Sequence, residues 1–159
     1  MLTPSIKQKG RSNMSQEIIN KAAEIVKGQT AHGGEAGFGI CTISLIDEDG
    51  FPSASVISPA KSDGLNTLTF GVMLDSPKAS RAKNCNRASV CFGTMEHCIN
   101  LVGEVEILTS DDIKREMWYD GLSHHFPGGA EDPNYGVLKF TTKRYKLFVD
   151  FQPEVEGRL

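Results

Sequence analysis

The chain has 159 residues, of which 39% are hydrophobic and 23% charged, and its formal net charge is -3. This length allows one domain with a substantial core, and the acidic balance argues against the basic surface of a general nucleic-acid-binding protein. The longest apolar runs are far shorter than a membrane span, and the N-terminal residues lack the hydrophobic stretch of a signal peptide. We therefore expect a cytoplasmic protein with neither a membrane nor a nucleic acid as a partner.

The first half of the chain predicts one helix followed by antiparallel strands. Apolar residues at helical spacing predict a helix that Ser15 caps and that ends at Gly28. Runs of β-branched residues separated by turn residues predict the strands that follow. We predict a flexible N-terminal tail at 1–14 and a single domain at 15–159. After the helix we expect strands at 38–46 and 51–58, a loop at 59–64 and a strand at 65–72.

A short basic helix is predicted after the third strand. Ser76 is a good N-cap and Pro77 suits the first helical position, so the helix is expected over residues 76–86. Lys78 and Arg81 lie one turn apart on the same face, beside the free amides of the helix N-terminus. This arrangement predicts a phosphate-binding site, and the alternative is a basic helix face exposed to water.

The second half predicts four more strands and one more helix. Strands are expected at 88–94 and 97–109, and Gly103 in the longer strand indicates a bend or a close approach of another backbone. A helix opens at Asp111 and carries Trp118, and a loop with glycine and proline follows it. The last strands are expected at 137–141 and 145–151, joined by a turn near Thr142.

These elements predict a mainly β fold with peripheral helices. There are about seven strands without βαβ alternation, which favours a six- to seven-stranded antiparallel split barrel over a parallel sheet. Several strands carry apolar residues on both faces. We therefore expect a helix or a second subunit to cover part of the outer wall.

The cysteines give no strong indication of metal binding. Cys41, Cys85, Cys91 and Cys98 include no C-x-x-C pair, so we expect reduced thiols and no structural zinc site. His97 is adjacent to Cys98, but strand alternation sends neighbouring side chains to opposite faces.

Two other pairs of side chains have a chemical and a structural interpretation. His124 and His125 could reach a substrate or a metal, although neighbouring loop residues usually form a surface pair. Glu104 and Glu106 could act as acid and base, although a solvated or cross-subunit ion-pair ladder is the commoner arrangement. No Ser/His/Asp set, P-loop or dinucleotide fingerprint occurs in the sequence.

Several segments resemble the flavin-binding split-barrel family related to pyridoxamine 5'-phosphate oxidase. The residues that carry the resemblance are 50–56, 68–71, 76–79 and 86–90. Residues 102–106, the helix with Trp118, residues 126–129 and Asp132-Pro133 are similar to the general stress protein branch of that family. The similarity spans about residues 37–151.

The resemblance implies a homodimer that binds FMN in two clefts between the subunits and acts on a small molecule. It places residues 55–58 along the isoalloxazine edge, and residues 70–72 with Ser76 and Lys78 at the ring edge and the phosphate. Asn100 would project toward the flavin across the dimer, and Trp118 would either stack near the flavin or pack in the core. The implied cofactor residues are Ser55, Val56, Ile57, Ser58, Phe70, Gly71, Val72, Ser76, Lys78, Arg81, Asn100 and Trp118.

The chain departs from the family at one phosphate-binding position. The family often has an arginine where this chain has Ser55, so Lys78, Arg81 or Lys61 would take over the phosphate contact. The substrate-phosphate arginine and histidine of the true oxidase are also not evident in the C-terminal strands.

Two functions follow from the resemblance. The first is an FMN-dependent oxidoreductase that transfers hydride or electrons to a small substrate, and it needs no identified catalytic residue because the flavin supplies the chemistry. The alternative is a non-catalytic flavin- or haem-binding stress protein. A single-stranded nucleic-acid barrel would need a basic groove with aromatic platforms, which the sequence lacks.

Overall fold

The computed structural model describes residues 4–35 and 39–159. In this part of the chain, strands form one antiparallel sheet, and helices lie around it. The helices are α1 (Pro4–Gly28), α2 (Pro77–Asn84) and α3 (Asp111–Met117), with short 3₁₀ turns at Asp120–His124 and Gly129–Glu131. The strands are β1 (Cys41–Ile46), β2 (Pro52–Ile57), β3 (Pro59–Asp63), β4 (Thr67–Met73), β5 (Arg87–Gly93), β6 (His97–Leu108), β7 (Tyr135–Val149) and β8 (Val155–Arg158).

The strand order explains why the sheet curls. Its main path runs β2-β1-β5-β6-β7-β4-β3, and β8 pairs with β7. β2 and β3 stand at opposite ends of this path, yet only Ser58 separates them along the chain. The sheet must therefore bend back on itself to bring its two ends together. The predicted mainly β, antiparallel split-barrel fold is confirmed.

The curled sheet encloses the main core. Alternate residues of β1, Cys41, Ile43 and Leu45, point inward and are buried, as strand periodicity requires. Helix α1 packs Ala22 and Val26 against this core, and both are fully buried. The apolar face of the helix therefore lies against the barrel rather than in water.

A second cluster covers part of the outer wall. Its buried members are Met117, Leu122, Phe126, Tyr135 and Val137. β7 contributes to both clusters, which explains why four successive residues from Tyr135 are buried. The expected cover over an outer face is thus provided by α3 and the segment that follows it.

The N-terminal helix is longer than the sequence indicated. Pro4 occupies its first turn, where proline is favoured, so α1 begins at Pro4 and not at the expected cap Ser15. The added turns contain Lys7, Gln8, Lys9 and Arg11, residue types that favour helix, and the single Gly10 does not interrupt them. Residues 1–3 of the expected tail lie outside the described residues. So does Phe38, where the first strand was expected to begin, and β1 starts at Cys41.

Two predicted loops are strand instead. Residues 59–63, expected in a loop, form β3 at the edge of the sheet, where a proline at the start and a charged Lys61 are tolerated. The turn expected near Thr142 is absent, because β7 runs without a break from Tyr135 to Val149. The chain bends there through a bulge, with Arg144 opposite Val102 and Thr142 opposite Gly103. Strand β8 was not predicted.

The predicted close approach at Gly103 is confirmed. A Cβ atom on this residue would overlap the carbonyl oxygen of Thr141 and lie 3.0 Å from the Cα of Thr142. The glycine lies opposite the bulge in β7. The absence of a side chain is therefore what allows β6 and β7 to stay paired through the bend.

None of the described helices is long and apolar enough to cross a membrane.

Candidate functional site

A cleft of about 730 Å³ opens where the curl of the sheet brings its two ends near helix α2. Residues 55–58 at the end of β2 form one wall, and residues 71–73 at the end of β4 form another. The start of α2 and the segment 119–126 form its other walls. Four stretches that are distant in sequence therefore share one opening.

The structure brings most of the predicted cofactor residues into this cleft. The predicted residues that line it are Ser55, Val56, Ile57, Ser58, Gly71, Val72, Ser76, Lys78 and Arg81. They include both groups that the resemblance assigned to the ring edge and to the phosphate. These nine residues therefore share one cleft, and their role in binding a cofactor stays a prediction.

Three predicted residues lie elsewhere. Phe70 is fully buried in the main core, because it points to the inner face of β4. Trp118 packs edge-on against Tyr135 in the second cluster, with ring centroids 5.4 Å apart. Asn100 lies on β6 opposite Cys91, outside the cleft of its own chain, and its approach to the flavin across the dimer stays a prediction. For Trp118, the structure shows the core alternative.

Local sequence explains the geometry of α2. Ser76 has an extended backbone, and its Oγ accepts a hydrogen bond from the backbone N–H of Ala79 at 3.2 Å. Pro77 has no N–H, and it occupies the first helical position. Because Pro77 lacks an N–H and the Ala79 N–H donates to Ser76, the backbone N–H of Lys78 is the donor left free in the first turn. Ala79 and Ala82 are buried and hold the helix against the barrel.

Lys78 is a half-buried cation without a carboxylate partner. Among the described residues, no acidic side chain forms an ion pair with it. Burial lowers the pKa of Lys78 from its ordinary value, and Cys41 opposes that shift. Burial also raises the pKa of the Cys41 thiol to about 12, so this thiol is protonated near neutral pH and does not compensate the ammonium charge.

Arg81 differs from Lys78 because it is already paired. Its Nε donates to Glu48 Oε1 at 3.2 Å, and its Nη2 donates to Glu48 Oε2 at 3.3 Å. Its Nη1 donates to Ser53 Oγ at 3.3 Å. Lys61, a suggested substitute for the missing family arginine, pairs with Glu116 at 3.1 Å and does not line the cleft. Lys78 is thus the cation at this site that an anion can approach without displacing a carboxylate.

The segment 119–126 forms a wall of the cleft that the sequence did not predict. This wall includes Tyr119, Leu122, His124, His125 and Phe126. Both histidines are exposed, as expected for a surface pair, but they also line the cleft. Burial raises the pKa of Tyr119 above its ordinary value, so its hydroxyl stays protonated near neutral pH.

Packing fixes this segment over the end of β4. Leu122 is buried and approaches Gly71 so closely that a Cβ there would lie 2.6 Å from the leucine Cδ2 atom. Phe126 packs on Tyr135, with ring centroids 4.9 Å apart. The glycine at position 71 was the available sequence signal, because it allows another side chain to lie against β4.

The glycine- and proline-rich stretch after Phe126 supports the same wall. Asp132 accepts hydrogen bonds from the backbone N–H groups of Gly128 and Asn134, each at 2.9 Å. These bonds lower the pKa of Asp132. Lys114 is buried, and its Nζ donates to the carbonyl of Asp132 at 2.9 Å. The motif therefore has a structural role in closing the cleft.

The remaining acid–base and metal candidates lie outside the cleft. Glu104 and Glu106 are exposed; Glu104 pairs with Lys143 at 3.6 Å, and Glu106 lies opposite Lys139. Among the described residues Glu106 forms no ion pair, so the two glutamates lie on an exposed strand face with a single ion pair within the chain. In the part of the chain that the structure describes, no three His, Cys, Asp or Glu side chains are grouped in a way that could hold a metal ion.

A family model described as pyridoxamine 5'-phosphate oxidase matches residues 35–148. A protein from Clostridium acetobutylicum related to general stress protein 26 has a similar structure, with a TM-score of 0.73 at 21% identity over 91% of this chain and 96% of that one. General stress protein 26 from Bacillus anthracis gives 0.72 at 20% identity, over 89% of this chain and 98% of that one.

A haem binding protein from Mycobacterium smegmatis also shares the fold, with a TM-score of 0.66 at 14% identity over 88% of this chain and 57% of that one. At these identities the structural likeness concerns the fold alone. No curated protein sequence gave a significant match.

Proposed function

The chain belongs to the pyridoxamine 5'-phosphate oxidase family, and from this premise and the cleft we propose that it is an FMN-dependent oxidoreductase acting on a small molecule. Members of this fold family include flavin- and haem-binding proteins.

The observation that supports a phosphorylated ligand is the state of Lys78. A half-buried ammonium without a carboxylate partner is costly, and an anion in the cleft would offset that cost. The N–H of Lys78 and the N-terminal end of α2 favour the same negative charge. The residues at this end of the cleft therefore fit a terminal phosphate group.

The rest of the cleft fits a flat ring system. Val56 and Ile57 on the edge strand β2 offer apolar side chains and backbone groups, and Val72 lines the cleft although its side chain is buried in the main core. Leu122 and Phe126 are buried and support that wall, which limits the access of water. When bound, FMN supplies hydride and electron transfer, so the chain needs only to bind, orient and shield it.

We propose that the cleft is completed by a second copy of the chain. Val56 lines the cleft with 63% of its surface exposed, and Met73 lines it with 41% exposed. A cofactor ring would bury only part of these apolar side chains. A partner subunit over the open side would cover the remainder and exclude solvent.

The test is the spectrum of the protein reconstituted with FMN. We expect flavin absorbance that co-elutes with the protein, bleaching by NADH or NADPH without oxygen, and recovery in air. Flavin that fails to co-elute would contradict the assignment of the cleft. Flavin that binds but is not bleached by either nicotinamide would support a non-catalytic carrier and contradict an oxidoreductase that accepts hydride from them.

Haem is the second candidate ligand, and the exposed histidines favour it. His124 and His125 line the cleft, and a neutral imidazole is a common axial ligand of haem iron. Haem titration would then give a Soret band that the His124→Ala or His125→Ala variant shifts or abolishes. Equal spectra for the two variants and the unmodified chain would exclude axial ligation by these residues.

A further inference from the structure

Cys91 and Cys98 bring two thiols together on the outer face of the sheet. Cys91 lies on β5 and Cys98 on the neighbouring β6, and their sulfur atoms are 3.7 Å apart. In the strand register Cys91 faces Asn100 and Cys98 faces Gly93, so the cysteines are diagonal neighbours on one face. Neither thiol lines the cleft.

The two thiols differ in their exposure. Cys98 is exposed and Cys91 is only half-buried. In the single chain a peroxide can therefore reach Cys98, while Cys91 lies beside it under partial cover. An accessible thiol next to a second thiol is the arrangement in which oxidation ends in a disulfide, because the neighbour attacks the oxidised sulfur before it is oxidised further.

From this geometry we propose that Cys91 and Cys98 form a reversible dithiol–disulfide pair that hydrogen peroxide oxidises. The Cys98 thiolate attacks one peroxide oxygen; the S–O bond forms, the O–O bond breaks, and the departing hydroxide takes up a proton to become water. Cys91 then attacks the Cys98 sulfur, so that the S–S bond forms and the S–O bond breaks. The second hydroxide leaves with the Cys91 proton as water.

The two steps balance in electrons and protons. Two thiols lose two electrons and two protons, and one peroxide gains them and becomes two molecules of water. The order of attack follows from the surroundings of Cys91. Burial, and then the neighbouring Cys98 thiol, raise the pKa of Cys91 to about 11, so this residue is protonated when the exposed thiol reacts.

The backbone around the pair can accommodate the bond. The sulfur atoms in a disulfide are about 2.05 Å apart, so the present 3.7 Å separation must shorten. The hairpin between the cysteines contains Gly93 and turns through residues 94–96, where Thr94 N–H donates to the carbonyl of His97 at 2.8 Å. Gly93 has only the Cys91 sulfur near its Cβ position, at 4.0 Å, which leaves room for adjustment.

The same hairpin explains why the bond would be reversible. Only a short loop lies between the cysteines, and β5 and β6 already close it by pairing. A disulfide constrains the unfolded chain less when its loop is short, so this bond adds little to the stability of the fold. A small dithiol such as dithiothreitol should therefore reduce it in the folded protein.

The test counts thiols in the full-length protein before and after one equivalent of hydrogen peroxide. The reduced protein should alkylate at all four cysteines. The oxidised protein should alkylate at Cys41 and Cys85 alone under denaturing conditions, and peptide mapping should find Cys91 joined to Cys98. Dithiothreitol should restore all four sites.

The variants separate the pair from general thiol oxidation. Cys91→Ser should leave a sulfenic acid on Cys98 that dimedone traps, and Cys98→Ser should abolish peroxide-dependent disulfide formation. Cys85→Ser is the matched control and should keep the disulfide. Four alkylatable thiols after peroxide, disulfides only between chains, or a linkage through Cys85 or Cys41 would each overturn the proposal.

Discussion

At the scale of single residues, Lys78 and Arg81 show why two basic side chains on one helix face are not equivalent. Glu48 holds the guanidinium of Arg81 through two hydrogen bonds, whereas Lys78 reaches the cleft without an acidic partner among the described residues. Fold and sequence spacing place both near the cleft. Because Arg81 is already paired with a carboxylate and Lys78 is not, Lys78 is the one that can bind an anion.

The Lys78→Ala variant should bind FMN more weakly. The loss should be on the order of 1 to 3 kcal/mol, because a charged hydrogen-bond partner of the phosphate is removed. Fluorescence titration measures it. Lys83→Ala is the control, since Lys83 is exposed on the same helix and does not line the cleft. Equal losses in the two variants, or no loss in either, would remove Lys78 from the site.

The affinity for FMN should also depend on pH through Lys78. Burial lowers the pKa of this ammonium group, so it loses its proton at a lower pH than an ordinary lysine does. Only the protonated form attracts the phosphate, so affinity should fall as the pH rises through this lowered pKa. Anion binding itself favours the protonated form, so the free protein should show the lower pKa.

The Lys78→Arg variant provides the comparison for this pH dependence. Its guanidinium stays charged, so its affinity should fall less over the same alkaline range. Any titration of the ligand is common to both proteins and cancels between the two titration curves. Parallel curves would show that Lys78 does not carry the pH dependence.

At the scale of elements, the pairing of β6 with β7 depends on one glycine. Gly103 lies opposite the bulge in β7, where the backbone of Thr141 and Thr142 leaves no room for a Cβ atom. Gly103→Ala must therefore shift one strand against the other. Overpacking of this kind typically costs about 1 to 3 kcal/mol in the free energy of unfolding.

Urea denaturation of Gly103→Ala measures this cost. Gly93→Ala is the matched control in the adjacent strand, because its Cβ would meet only the Cys91 sulfur at 4.0 Å. We expect a lower midpoint for Gly103→Ala and a much smaller change for Gly93→Ala. A similar small change in both variants would mean that the bulge relaxes without strain.

At the scale of the whole molecule, the open side of the cleft predicts a dimer. Light scattering of the FMN-loaded protein should give twice the mass of one chain. Val56→Glu should lower both the measured mass and the affinity for FMN, because it places a charge on the apolar wall that the partner and the ring share.

Met95→Glu is the control for the dimer. Met95 is 89% exposed in the turn between β5 and β6 and does not line the cleft. This variant should keep both the mass and the affinity. The mass of a single chain for the unmodified protein with FMN bound would contradict the dimer while leaving FMN binding intact.

Local patterns in the sequence were sufficient for much of the fold. Runs of β-branched residues between turn residues predicted most strands, Ser76-Pro77 predicted the start of α2, and Gly103 predicted a close backbone approach. These features depend on side chains within a few residues of one another. The same patterns, with the family resemblance, located three of the four stretches that line the cleft.

Only the tertiary structure decided how these stretches combine. The fourth wall, at 119–126, depends on Leu122 and Phe126 packing against Gly71 and Tyr135, which are distant in sequence. The edge strand at 59–63 and the unbroken β7 likewise form because other strands supply their hydrogen-bond partners. Long-range pairing and burial act between residues that no local window contains, so they override local turn and loop preferences.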